Sequence, residues 1–473
     1  MFNNKNRVRM TDSQKIITEN ARLKEELEDI FKKYEEVVEQ NDELRKLNLQ
    51  YSEEIKALPK KLEKELKDKE SKFLRFKMVT VLFSQVRGFT KLAETENPEA
   101  LIDELDKFYF QFDTVVAKYN IEKINAIGDT YISAGGIPKK NRTNPFEVVM
   151  AALEMQQYMK KLQIESQCQN KKIWDLSFGI HTGPVTASPF GKKKISYDIK
   201  GETVNSASRI EASSDASRIL ISDMTYELIQ EFFRCEYVGK LPVKYQGDMS
   251  LYTVKGFRPE YSEDDTSLIP NKKFKIRFQI IKYDDLEEFM LDKLERELPK
   301  HLFYHNLKHT IDVVIQVELI GRSEGLNDEE LLLMRTAGLF HDAGHIIQSP
   351  NHEYYSTVLA RDILPEYGYS TEQIDIICDT IMATQLPPKP TNLMQNIICD
   401  ADLDYLGRTD FIPVSETLYK ELNAQKIITD YNVWNNIQIK FLSGHHYFTD
   451  TANKLREVNK QKQIDRIKSL IVE

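Results

Sequence analysis

The chain has 473 residues, 41% of them apolar and 29% charged, with a formal net charge of -9. That length exceeds what a single hydrophobic core usually serves and predicts two or three domains. The negative charge argues against a nucleic-acid partner, and no apolar run approaches the roughly 20 residues of a membrane span. The opening MFNNKNRVRMTDSQ is basic without an apolar stretch, so it does not read as a secretory signal. Cys168, Cys235, Cys378 and Cys399 are scattered without C-x-x-C spacing and read as reduced thiols of a cytoplasmic protein.

The first element, over residues 12–75, is expected to be a coiled coil with a charged helical connector. One seam position holds Ile16, Leu23, Ile30, Val37, Leu44, Tyr51 and Leu58; the other holds Asn20, Leu27, Tyr34, Asn41, Asn48 and Ile55. Six heptads of a/d periodicity flanked by Glu and Lys predict a parallel homodimer, because each of the three seam Asn residues can hydrogen-bond its symmetry mate. Pro59 interrupts the helix.

Residues 76–257 alternate strand-like and helix-like stretches. KMVTVLF reads as a buried strand, PEALIDELDKFYFQFDTVVAKY as an amphipathic helix and EKINAIGDTYISAGG as a hairpin. A helix through Val148–Leu162, the strand LSFGIHTG and the turn-strand-helix sequence YDIKGETVNSASRIEA follow. VTVLFSQVRGFTKLAE, INAIGDTYISAGG, FGIHTGPV, YDIKGETVNSASRIEA and SLYTVKGF stand in the order and spacing of class III adenylate/guanylate cyclase domains, which the segment resembles throughout. The resemblance implies an α+β ferredoxin-like fold acting as a head-to-tail dimer, with Mg or Mn and a nucleoside triphosphate bound between subunits. It maps a metal carboxylate onto Asp129, a base-reading position onto Asp198, the ribose-orienting amide onto Asn205 and the transition-state cation onto Arg209. Two positions depart from the family. Gln85 stands where the first metal Asp belongs, and a neutral amide is a much weaker ligand for a hard cation. Asn125 occupies the other base-reading position, where adenylyl cyclases carry Lys and guanylyl cyclases Glu. Lys200 and Ser188 are lesser departures. In a homodimer every site would carry the Gln85 defect. The domain is therefore expected to bind nucleotide or dimerise without cyclising, with a weak cyclase and a half-site donated to a heteromeric cyclase partner as the alternatives.

KGFRPEYSEDDTSLIPNKK is polar and acidic, and residues 258–272 read as an interdomain linker. Residues 273–473 are expected to form an all-α domain. Of the nine histidines only His181 precedes residue 300. His309, the pair His341-Asp342, and Asp402 fall on three predicted helices, and imidazole and carboxylate groups converging from three helices suit a divalent metal. The apolar run before His341 would bury the pair, so it needs a partner. The pattern resembles the HD superfamily of metal-dependent phosphohydrolases over about 273–410. The resemblance implies Mn, Mg, Fe or Zn on His309, His341, Asp342 and Asp402, with Asp400 a substitute for Asp402 and Asp342 also the orienting base. His305 matches the Tyr-His-Asn histidine that protonates the leaving oxygen in cyclic-nucleotide phosphodiesterases, and its spacing from His309 predicts the same helix face. His345 and His352 are candidates for a second metal or for phosphate. His445 and His446 are weaker candidates, and Thr384 stands where some HD enzymes have further metal-binding histidines. The expected chemistry is phosphoester hydrolysis by metal-activated water, regulated by the cyclase-like domain. The competing readings are a working cyclase with a regulatory HD domain and a nonenzymatic dimeric scaffold.

Overall fold

The computed structural model describes residues 73–471 except 88, 90–97, 169–174, 192–194, 244–246 and 265. The heptad seam lies outside the described residues. The first strand, β1 (Leu74–Val86), shows why a sheet forms here. Leu82 and Val86 point to one face, and Val79 and Val81 to the other. A bulge between Phe76 and Val79 returns Phe76 to the second face. Both faces are apolar because both are covered.

Helix α1 (Pro98–Lys118) leads to the hairpin β2 (Glu122–Ile127) and β3 (Thr130–Gly135). Helix α2 (Asn144–Cys168) then leads to β4 (Leu176–Phe190). The strand order is β2-β3-β1-β4, antiparallel at each pairing, which is the ferredoxin-like arrangement. Strand β5 (Ser196–Lys200) pairs with the end of β4, and α3 (Glu202–Ala212) folds back over the sheet. Gly179 on β4 permits that return, since a Cβ there would collide with the backbone of Ala207 and Glu211. Strand β6 (Ile219–Ser222) runs parallel to β4. Helix α4 (Asp223–Ile229) and the hairpin β7 (Phe233–Val243) and β8 (Gly247–Phe257) complete the sheet.

The segment expected to be a linker is folded onto this sheet. Pro259–Tyr261 form a 3-10 turn with Tyr261 buried, Ser262 bridges Pro270, and the Phe257 amide donates to the Ser267 carbonyl at 2.7 Å. Apolar residues inside the polar run account for the difference, because Tyr261 and Leu268 reach the core left open beside Phe232.

Asn271 caps α5 (Lys272–Glu297), its side chain accepting from the Phe274 amide at 3.0 Å. Phe274 completes the first core, edge-on to Phe257 at 4.8 Å and to Phe232 at 5.5 Å. Two turns later the same helix supplies Tyr283, Leu286, Met290 and Leu294 to a second, wholly helical core. That core also takes α6 (Leu307–Ser323), α7 (Asp328–Phe340), α8 (His352–Ile363), α9 (Thr371–Met382) and α10 (Leu393–Asp402). Helices α11 (Phe411–Ala424), α12 (Tyr431–Gly444) and α13 (Val458–Lys468) follow, and a smaller cluster including Phe411, Leu442 and Ile467 packs them. No described helix is long and apolar enough to cross a membrane.

Candidate metal centre

Asn306 begins the helix that carries His309. Its side chain accepts from the amides of Lys308 and His309, so α6 starts at Leu307. The expectation that His305 shares a helix face with His309 is therefore corrected: His305 lies before the cap, in non-helical chain. Helix α7 opens on a capping box between Asn327 and Glu330 and closes at Phe340, with His341 as its C-cap. The chain then turns at Asp342 (φ -104°, ψ 2°) into the 3-10 turn Ala343–Ile346. Gly344 lets that turn press against α8, where a Cβ would collide with the His352 and Ser356 backbone. Ser356 Oγ accepts from the Gly344 amide at 2.8 Å and donates to the His341 carbonyl at 2.7 Å. The turn and the start of α8 are locked together, and His352 is delivered to Asp342.

Four ligand-type atoms meet between α6, α7 and α10. His309 Nε2 lies 3.2 Å from His341 Nε2, 3.1 Å from Asp402 Oδ1 and 3.4 Å from Asp342 Oδ2. His341 Nε2 lies 3.2 Å from Asp342 Oδ2 and 3.7 Å from Asp402 Oδ1. Donors set tetrahedrally at about 2.0–2.2 Å from one ion would lie about 3.4 Å apart. His341 Nδ1 donates to the Gly338 carbonyl at 2.7 Å, so its neutral form turns the lone pair of Nε2 inward. Asp342 Oδ2 is buried without a hydrogen-bond partner. This donor set fits a divalent cation. Without one, burial works against charged imidazoles, yet the two carboxylates outweigh it and hold His309 above, and His341 well above, the usual value. Burial likewise opposes the carboxylate charges, but the imidazoles hold Asp342 and Asp402 well below the ordinary carboxylate range.

Asp400, two residues from Asp402, faces elsewhere. Its Oδ1 accepts from the Phe448 amide, and its Oδ2 accepts from the Thr449 amide and hydroxyl, at 2.7–2.9 Å. On the other side of Asp342, His352 Nε2 lies 3.3 Å from Oδ1, and the His345 and His352 rings stack 4.1 Å apart. His305, Asp342 and His345 form a second group spaced to hold a cation. His345 Nε2 is buried without a partner, and burial pushes that imidazole down to about 3. Glu421 on α11 completes this side. Its Oε1 pairs with His305 Nδ1 at 2.5 Å, and its Oε2 accepts from the Tyr304 and His305 amides. No sequence pattern singled it out, since it stands 116 residues from His305. His445 is buried between Phe441 and Tyr447, away from these groups, and His446 is exposed. Thr384 donates its hydroxyl to the Ile381 carbonyl at 2.8 Å.

In the sheet domain Gln85 and Asp129 come together because Gln85 pairs in register with Thr130. Gln85 Nε2 donates to Asp129 Oδ2 at 3.1 Å, an amide N–H standing where a second carboxylate would face the first. Asn125 is exposed on β2. Asp198, opposite Ser188 on β4, pairs with Lys200 at 3.4 Å. Glu202, at the start of α3, accepts from both Asn205 Nδ2 and Arg209 Nη1 at 3.3 Å. Among the described residues, no hydrogen bond or ion pair joins this second set to Asp129.

Residues 72–256 match the adenylate and guanylate cyclase catalytic domain family, and residues 306–404 match the HD domain family. One chain thus carries a class III cyclase domain and an HD domain. Among its relatives, guanylate cyclase 32E of Drosophila melanogaster is 34% identical over 198 residues, 41% of this chain and 17% of that protein. Human guanylyl cyclase C is 30% identical over 235 residues, 48% and 22% of the respective lengths. The chain thus spans about a fifth of the length of these curated relatives. The guanylate cyclase domain of RhGC from Catenaria anguillulae, solved with GTP, is 28% identical and overlays at a TM-score of 0.36, covering 39% of this chain and 100% of that one.

Proposed function

We propose that the HD domain hydrolyses a phosphoester with a divalent cation held by His309, His341, Asp342 and Asp402. The cyclase-fold domain, on this reading, binds a nucleotide or dimerises without cyclising it and regulates that hydrolysis. The observation that carries the first part is the grouping of His309, His341 and Asp402, with Asp342 Oδ2 buried 3.2 Å from His341 Nε2 and 3.4 Å from His309 Nε2. Bound there, a cation supplies Lewis-acid polarisation of the ester and a water nucleophile active near neutral pH.

The remaining work belongs to the chain. Glu421 accepts a hydrogen bond from the Nδ1–H of His305 and fixes the ring, and in the imidazolium form the Nε2–H is the proton handed to the departing oxygen, leaving the neutral ring with its Nδ1–H. Glu421 itself stays ionised, because its bond to His305 overcomes its burial and holds its carboxyl below the usual value. Asp342 faces both histidine groups, Oδ2 toward His309 and His341 and Oδ1 toward His352, so it orients whatever lies between them. For the cyclase fold, the Gln85–Asp129 hydrogen bond supports the loss of two-cation chemistry, and the expected parallel coiled coil supports a dimer.

The test is elemental analysis with a phosphoester screen. Wild-type protein should carry close to one Mn, Fe, Zn or Mg per chain or more and hydrolyse a phosphomonoester or phosphodiester. Asp342→Ala should lose both the metal and the activity. A wild-type protein without metal, or Asp342→Ala with full metal and turnover, refutes the proposal.

A further inference from the structure

The interior of the sheet domain holds a line of polar side chains that neither candidate site uses. Thr80 on β1 stands opposite Thr182 on β4, and their hydroxyls lie 2.9 Å apart. Thr182 reaches Thr225 at 3.0 Å, Thr225 reaches Ser222 at 3.2 Å, and Ser222 reaches His181 Nδ1 at 2.8 Å. In the other direction Thr80 donates to Asn144 Oδ1 at 2.6 Å. Asn141 continues the line: its carbonyl accepts from Asn144 Nδ2 at 2.7 Å, and its Nδ2 donates to Glu147 Oε2 at 2.8 Å. Glu147 Oε1 then meets Lys282 Nζ of α5 at 3.2 Å. The line therefore runs from His181 on β4 to the first helix of the helical domain. Its hydroxyls, Asn144 and Glu147 are all buried.

Each hydroxyl has one proton to donate, so the line has a direction. The Asn144 amide sets it. Its Nδ2 faces two carbonyls, Asn141 at 2.7 Å and Met78 at 3.5 Å, which leaves Oδ1 toward Thr80. Thr80 gives its proton to Asn144, so Thr182 must donate to Thr80, Thr225 to Thr182 and Ser222 to Thr225. Ser222 then has no proton for His181, and Nδ1 must carry one of its own. Burial holds this imidazole below its usual value, so the neutral ring has that single proton and Nε2 presents a lone pair. Nε2 stands beside the start of α3: a Cβ on Gly183 would lie 3.6 Å from it and 2.7 Å from Thr203 Oγ1. Turning the Asn144 amide over would set Oδ1 against two carbonyls, invert every hydroxyl and move the His181 proton to Nε2. The line is thus an element with two discrete arrangements, of which the loop before α2 selects one.

We propose that this line couples the two domains: the clasp of residues 141–147 on α5 decides which nitrogen of His181 carries the proton. Arg142 reinforces the clasp, pairing with Asp285 at 2.6 Å through its side chain and at 2.8 Å through its amide. At the other end, Glu202 acts on His181 electrostatically and also accepts from Asn205 and Arg209. The state of the joint therefore sets whether an acceptor or a donor stands beside the positions expected to orient a nucleotide. The coupling stands on hydrogen-bond geometry; its use in controlling hydrolysis rests on the regulatory reading given above.

Nitrogen-15 NMR of full-length protein labelled at histidine reads the tautomer, with His181→Gln assigning the signal. Wild type should show His181 protonated at Nδ1 and bare at Nε2. Thr80→Val removes one hydroxyl from the middle of the line and should abolish that single tautomer. Thr182→Val is a second break, for use if the first variant does not fold by circular dichroism. Arg142→Met combined with Lys282→Met releases residues 141–147 from α5 and should shift the His181 signal from the far end of the line. A wild-type His181 protonated at Nε2, or a signal unmoved by a folded break, overturns the proposal. A signal moved by the breaks but unmoved by the joint variant overturns the coupling between domains. Phosphoester hydrolysis by metal-loaded wild type, with and without ATP or GTP, tests the regulatory reading separately. Rates indifferent to both nucleotides, alongside the expected tautomer shifts, uphold the coupling and overturn its use as a control on hydrolysis.

Discussion

Asp400 and Asp402 are separated by one alanine on α10, and a helix turns about 200° over that interval. Only one of them can face α6 and α7, and it is Asp402. Asp400 instead holds the chain at Phe448 and Thr449 through three accepted hydrogen bonds. Replacing Asp400 by Asn exchanges one acceptor for a donor facing Thr449. It should cost about 2–3 kcal/mol in urea unfolding while leaving metal stoichiometry at the wild-type level. Asp402→Asn should do the reverse, and metal lost from Asp400→Asn instead would exchange the two roles. Gln85 gives a second test at this scale. Gln85→Asp removes the N–H that satisfies Asp129 and sets two carboxylates side by side. Mn²⁺ should then raise the melting temperature of the variant but not of the wild type, by about 2.7 kcal/mol of stabilisation at a hundredfold excess over Kd. The departure at Gln85 was legible in the sequence because a motif surrounds it. Glu421 was not, since a carboxylate recruited from another helix leaves no mark on the residues around His305.

Among the elements, the short turn between α7 and α8 does the most to build the centre. It reverses the chain immediately after His341, and the Ser356 hydroxyl ties its two ends together. Gly344→Ala would force the turn and α8 apart. It should cost about 3 kcal/mol as overpacking and reduce metal occupancy, read by chemical unfolding and elemental analysis. Unchanged values for both would mean that the turn has slack. The sequence placed His309, His341 and Asp402 on three converging helices, and they lie together, whereas helical spacing misjudged His305. Asn306 was the available signal: an Asn directly before an apolar-periodic run marks a helix start, and the residue ahead of the cap is not helical. The ferredoxin-like strand order was expected from the resemblance and is the observed one. The acidic segment after β8 looked like a spacer because its composition outweighed the two or three apolar residues that fix it to the sheet.

At the scale of the whole molecule, the two cores are joined by a helix that belongs to both. Phe274 and Phe278 pack with the sheet domain, and Tyr283 through Leu294 pack with the helical one. Ion pairs brace the joint. Arg142, in the loop after β3, reaches Asp285 at 2.6 Å and Glu288 at 2.9 Å, and Lys282 reaches the buried Glu147 at 3.2 Å. Phe274→Ala should remove about 3–5 kcal/mol from the sheet domain. Hydrogen exchange should quicken in β7 and β8, with α6 and α7 keeping their protection. Equal loss in both would mean that the two cores unfold as one unit.

The sharing of α5 also bears on how the chain matures. Synthesis runs from the N-terminus, and domains commonly fold as they emerge. Here the sheet domain lacks Phe274 until the first turn of the next domain has been made. A nascent chain halted at residue 262 would hold every strand yet leave the hollow beside Phe232 and Phe257 open to water. When that hollow closes, it anchors the start of α5. The helical domain then assembles from a first helix whose direction its predecessor has already set.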